Sequence, residues 1–138
     1  MKILKRAKST SKIKKMTVEV DWFKFLSKAE ALVYMMIRDG KILPWHKFIS
    51  QNPSFELVPK FTLLNGNNIR ARKYSADLLV KDKLGNEIVV EIKSPFSESE
   101  PIYRLRRTFF LYKYNKDIKF MEIIYKNKTT PVIIKKYY

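Results

Sequence analysis

The chain has 138 residues, 46% hydrophobic and 30% charged with only three glycines, which suits one core and excludes wholesale disorder or a Gly-rich low-complexity chain. Lys and Arg outnumber Asp and Glu by 29 to 13, a formal charge of +16 that excludes an acidic-surface protein and points to a polyanionic partner, nucleic acid first. The absence of cysteine and the single histidine exclude a disulfide framework, a thiolate nucleophile, a zinc finger and an iron–sulfur cluster, leaving hard oxygen ligands for any metal site.

Residues 1–16 read as a flexible basic arm: Met1 to Lys15 carries seven cations and no acid, and the first carboxylate is Glu19. Lys12, Lys14 and Lys15 are candidate phosphate contacts, the alternative being a solvated tail that aids solubility. No window approaches the roughly 18 apolar residues of a membrane span. The charged start leads into Lys12-Ile13-Lys14-Lys15 rather than an apolar signal core, so a cytoplasmic protein without membrane association is expected. Residues 17–138 are expected to form a single domain.

Val18, Val20 and Trp22 alternate with polar neighbours and predict a short strand. Ser27-Lys28-Ala29-Glu30 has the form of a capping box ahead of the apolar run Ala31 to Ile37, and Gly40 supplies a stop, predicting a helix over 27–39. Ile42 to Pro59 lacks periodicity and predicts a loop with at most one helical turn. Phe55 to Leu64 and Ile69 to Val80 read as an antiparallel hairpin around Asn65-Gly66-Asn67-Asn68, and Glu87 to Lys93 as a third strand after the Asp82 to Asn86 turn. Pro101 suits the first turn of a second helix with Ile102, Leu105, Phe109 and Tyr112 on the inward face and Arg104, Arg106, Arg107 and Lys113 toward solvent. Ile118 to Tyr125 and Pro131 to Lys135 complete the order β-α-βββ-α-ββ, an α/β fold with a central mixed sheet flanked by helices.

Asp77 falls in the second strand of this meander and Glu91-Ile92-Lys93 in the third. Period-two alternation puts Glu91 and Lys93 on one face, and a register with Asp77 opposite would join two carboxylates to an ammonium. Two oxygen ligands of this kind suit Mg²⁺ or Mn²⁺, with Lys93 placed to orient a water and balance charge, which is the chemistry of phosphodiester hydrolysis. Alternating charges on a strand often mean only a solvated face. Here both acids lie inside apolar runs, Ala76-Asp77-Leu78-Leu79-Val80 and Ile88-Val89-Val90-Glu91-Ile92, where an unpaired charge is expensive.

These residues resemble the PD-(D/E)XK, or restriction-endonuclease-like, nucleases, with Asp77 and Glu91-Ile92-Lys93 as the motif and Tyr74-Ser75-Ala76 where many members have proline before the aspartate. A closer similarity is to small phage-encoded nuclease-like proteins grouped as a domain of unknown function. Ser27-Lys28-Ala29-Glu30-Ala31, Val58-Pro59-Lys60-Phe61, Ala76-Asp77-Leu78, Glu91-Ile92-Lys93-Ser94 and the stretch from Tyr103 to Tyr112 carry it, from about Val18 to Ile124. Val58 replaces a glutamine of that group and Ser94 a common glycine. The resemblance implies a restriction-endonuclease-like core, a DNA endonuclease using Mg²⁺ or Mn²⁺, and Glu30, Asp77, Glu91 and Lys93 as catalytic residues, the three carboxylates as metal ligands. Glu30 has the capping box as its competing role. Similar small basic members include Holliday-junction resolvases, which act as dimers, so branched or junction DNA and a homodimer are the narrower expectations.

Lys60, Arg70, Arg72, Lys73, Arg104, Arg106 and Arg107 form the remaining candidate nucleic-acid surface, against the alternative of ordinary solvated faces. Tyr103 and Phe110 read as packing residues, and His46 as structural rather than a general base. The rival readings are a non-catalytic nucleic-acid-binding module and a nuclease subunit of a larger recombination or transposition complex.

Overall fold

The structure is a computed structural model and describes residues 17–138, so the predicted arm with Lys12, Lys14 and Lys15 lies outside the described residues. The strands are β1 (Val18–Val20), β2 (Phe23–Phe25), β3 (Lys47–Gln51), β4 (Ser54–Val58), β5 (Phe61–Thr62), β6 (Asn68–Ile69), β7 (Arg72–Ser75), β8 (Leu78–Lys81), β9 (Glu87–Lys93), β10 (Lys119–Ile124) and β11 (Ile133–Lys136). The helices are α1 (Lys28–Arg38) and α2 (Pro101–Tyr114). Five strands form a central mixed sheet in the order β11-β10-β9-β8-β3, parallel only between β9 and β10. A parallel neighbour demands a crossover, and α2 provides it.

The two helices cover opposite faces. Ala31, Val33, Tyr34 and Ile37 of α1 share a core with Leu78, Val80, Ile88, Val90, Ile92, Met121 and Ile123. Phe110 of α2 packs with Tyr74, Ala76, Val89 and Phe120 on the other side. β9 is therefore buried on both faces and reads as an apolar run broken only by Glu91. Its alternation turns residues 89, 91 and 93 toward α2. Ser27 caps α1 by accepting the Glu30 amide at 3.1 Å, and Gly40 ends the helix region at φ +70, close to the predicted limits. Among the described residues no helix is long and apolar enough to cross a membrane.

Four expectations change. Trp22 is no strand residue: Asp21 and Trp22, at φ 51 and 70, form the two-residue turn between β1 and β2, and the indole is 93% exposed. Positive φ at a bulky residue is uncommon, so nothing in the residue types signalled this turn. The stretch from Ile42 to Pro59 is not a loop: it holds β3, whose periodicity is broken by a register shift between Phe48 and Ser50, and after Asn52 at φ 48 before Pro53 it holds β4, which overlaps the hairpin strand expected from Phe55. The single strand expected over Ile69 to Val80 is three, because the chain changes sheets: β7 pairs with β4 and β8 with β3. The matching bends are laced together, Asn52 N–H donating to the Asp77 carbonyl at 2.9 Å and Ala76 N–H to the Pro53 carbonyl at 3.0 Å.

The fourth change concerns α2. Its inward residues are Tyr103, Phe110 and the half-buried Arg107, Leu111 and Tyr114, whereas Ile102, Leu105, Phe109 and Tyr112 face outward. Two apolar stripes compete on this helix, and the aromatic one wins because Phe110 meets the rings of Phe55, Tyr74, Tyr114 and Phe120 with centroids 5.0 to 5.6 Å apart. Phe110→Ala should thus destabilise the fold by about 3–5 kcal/mol and Phe109→Ala by less than about 1 kcal/mol in denaturant unfolding. Equal losses would restore the outward stripe to the core.

Candidate active site

The antiparallel register of β8 and β9 pairs Leu78 with Val90, and one step further it sets Asp77 across from Glu91. Asp77 sits at the bend where β7 becomes β8, so its side chain takes over where the ladder stops: Oδ2 accepts the Ile92 amide at 2.7 Å. Glu91 is 5% exposed and accepts a hydrogen bond from the Tyr74 hydroxyl at Oε2, while the Lys93 ammonium lies 3.3 Å from Oε1. Two carboxyls and an ammonium thus converge at the end of two central strands.

Burial and the neighbouring Glu91 charge push Asp77 up to about 8, against the opposing pull of the Ile92 amide. Burial also raises Glu91, with Tyr74 and Lys93 favouring its charged form. The Tyr74 hydroxyl is raised by burial and by Glu91, so it stays a donor. Each of these shifts comes from holding acids away from water and near one another.

Glu30 stands apart. It belongs to α1, on the opposite face of the sheet, and reaches the site as a charge: it adds to the rise of Asp77 and Glu91 and is itself raised by burial. Ser27 accepts the Glu30 amide at 3.1 Å, and Ser27 and the Leu26 backbone favour the charged form of the Glu30 carboxylate. Among the described residues no group of three or more His, Cys, Asp or Glu side chains gathers into a ready metal cluster. The expected three-carboxylate set is therefore reduced to Asp77 and Glu91. Two hard-oxygen carboxylates, with Asp77 Oδ1 accepting no hydrogen bond among the described residues, still fit Mg²⁺ or Mn²⁺, which bind through one or two carboxylates and retain water.

A second buried acid lies beside the first. The parallel register places Glu122 of β10 next to Glu91, and Glu122 is fully buried. Tyr103 donates its hydroxyl proton to Glu122, Arg107 Nη1 donates to the same oxygen at 2.9 Å, and the Tyr137 hydroxyl reaches the other at 3.5 Å. The Tyr103 ring also lies under the Lys93 ammonium, 4.3 Å from Nζ to the centroid. Tyr103 thereby links the two acids, holding Lys93 with its face and Glu122 with its hydroxyl. Sequence reasoning missed Glu122, although Phe120-Met121-Glu122-Ile123-Ile124 repeats the signal that singled out Asp77 and Glu91, an acid inside an apolar strand.

Arg107 is therefore no phosphate contact: its side chain is 15% exposed and bound to Glu122 and to Glu98. Arg104 is half exposed and paired with Glu98 at 3.3 Å. Lys60, Arg70, Arg72, Lys73 and Arg106 are exposed. Lys73 and Arg106 line a cleft of about 600 Å³ whose wall includes Tyr74, Glu91, Lys93 and Tyr103. His46 stays structural, its Nδ1 3.1 Å from the Pro44 carbonyl.

Residues 9–130 match the family model described as "Protein of unknown function (DUF1064)", and the chain belongs to that family. No curated protein matches the sequence. A solved structure described as the crystal structure of SSO0001 superposes with a TM-score of 0.45 at 13% identity, over 78% of this chain and 48% of that one, so the chain spans about half its length.

Asp77 gives a pH signature. Its carboxyl ionises near an ordinary 3.9 in the unfolded chain and near 8 in the native one, so between these values the native state holds more protons and stability falls as pH rises. The penalty is full above pH 8 and absent below about pH 4. Asp77→Asn should raise Tm by well over about 4 °C near pH 8.5 and leave it nearly unchanged near pH 4. A shift of the same size at both would refute the raised carboxyl. In the same assay Arg107→Ala should cost about 3–5 kcal/mol by stranding Glu122, and Arg104→Ala less than about 1 kcal/mol.

Proposed function

We propose that the protein is a divalent-metal-dependent DNA endonuclease with a restriction-endonuclease-like core, of the PD-(D/E)XK type, acting on branched DNA. The observation that carries this reading is the opposition of Asp77 to Glu91 across β8 and β9, with Glu91 and Lys93 in the wall of a cleft that Lys73 and Arg106 also line. Opposed carboxyls, Glu91 buried and Asp77 half-buried, need a cation or a proton, and a bound divalent metal would be the first.

Asp77 and Glu91 are the residues that would hold Mg²⁺ or Mn²⁺, which supplies polarisation of the phosphodiester and acidification of a bound water. Lys93 is the group that holds the attacking water and offsets charge developing on the phosphate. Glu91 and the Tyr103 ring fix its ammonium from two sides, so the position is set before substrate arrives. Tyr74 orients Glu91 through the hydroxyl hydrogen bond, and Lys73 and Arg106 bind flanking phosphates. Glu30 tunes this centre by its charge.

One feature favours the rival, a non-catalytic binding module: both Glu91 oxygens already have protein partners. The two readings separate on cleavage. With Mg²⁺ or Mn²⁺ the protein should cut branched DNA and stop with chelator; Asp77→Ala, Glu91→Ala and Lys93→Ala should each slow cutting by about 100-fold or more while DNA affinity stays within a few-fold. Binding that persists with chelator and no cutting under any metal would establish the binding module.

A further inference from the structure

The outward stripe of α2 has a neighbour. Ile102, Leu105 and Phe109 are 67%, 57% and 46% exposed and form one side of a groove of about 390 Å³ that also presents Arg72, Lys73 and Arg106. No carboxylate lines this groove. It runs directly into the cleft that holds Glu91 and Lys93, the two sharing Lys73, Ile102 and Arg106.

We propose that this groove binds unpaired nucleotides of the strand being cut, with bases against the apolar stripe and phosphates on the three cations. This rests on the nuclease reading and names its substrate: DNA with a single-stranded segment beside the scissile bond. An apolar face rimmed only by cations calls for a ligand that is anionic and apolar at once. Duplex DNA presents phosphates but keeps its base faces stacked inside, so it leaves Ile102, Leu105 and Phe109 uncovered. An unpaired strand offers both, and base contact with apolar and aromatic side chains is a recognised source of single-strand affinity. A second copy of the chain is disfavoured, since each copy carries +16. Lys73 and Arg106, shared by groove and cleft, carry the strand past Glu100 to Glu91 and Lys93.

The test is fluorescence anisotropy in chelator, which removes catalysis, with a labelled oligothymidylate of about 16 nucleotides and a blunt duplex of the same length. The double variant Leu105→Ser with Phe109→Ser changes two exposed side chains, and circular dichroism checks that it folds. It should bind the single strand about ten-fold more weakly than the wild type and the duplex within about two-fold. Equal weakening for both, or none for the single strand, overturns the proposal. So does sedimentation showing a wild-type dimer that the variant splits, because the groove is then an interface between copies. If single-strand discrimination is found but no metal supports cutting, the nuclease reading fails and the groove's ligand stands.

Discussion

Two carboxyl groups that repel each other face one another across adjacent central strands, and the surrounding structure works to hold them there. Asp77 occupies the bend where the chain leaves one sheet for another, and the paired bend at Asn52 and Pro53 locks that corner by backbone hydrogen bonds. The Ile92 amide, the Tyr74 hydroxyl and the Lys93 ammonium each take part of the load. What is left appears as the high ionisation point of Asp77. A fold selected only for stability would place apolar side chains at such positions. Acids kept there at a cost support the proposed cation site.

α2 serves this centre with one face and leaves the other open. Its inner stripe sends Phe110 into an aromatic core, Arg107 onto Glu122, and Tyr103 between Glu122 and Lys93. The crossover that the parallel pair of β9 and β10 requires is thus also the element that sets the lysine. Its outer stripe of Ile102, Leu105 and Phe109 lies within one helical turn of the same cleft. One helix both positions the Lys93 ammonium and lines the cleft beside it.

Much of this was legible in the residues. The N-cap at Ser27, the strand over Glu87 to Lys93 and the start of α2 at Pro101 are local signals, decided by side chains a few positions apart, and they appear where expected. Asp77 and Glu91 were legible because an acid in an apolar strand is anomalous wherever it occurs. Tertiary choices were not: α2 carries two plausible apolar stripes, and only the rings waiting on the sheet decide between them. β3 was hidden by a bulge that broke its alternation, whereas β4 overlaps the strand read from Phe55. Glu30 meets its position in the pattern from a helix on the far face of the sheet, and its charge is felt by Asp77 and Glu91. The role of Arg107 was not legible, because a buried partner from β10 claims a cation that the sequence would leave to phosphate.

The central claim is that Asp77 and Glu91 are a strained carboxyl pair built for a divalent cation. Carbon-detected NMR titration of the labelled carboxyl groups tests it at the atoms concerned. Without metal Asp77 should titrate near 8, and saturating Mg²⁺ should move its ionisation well below neutrality while leaving Asp39, a surface carboxylate paired with Arg38, unmoved. If Asp77 titrates in the ordinary carboxylate range and Mg²⁺ shifts neither it nor Glu91, the pair is a structural ion network and the account fails.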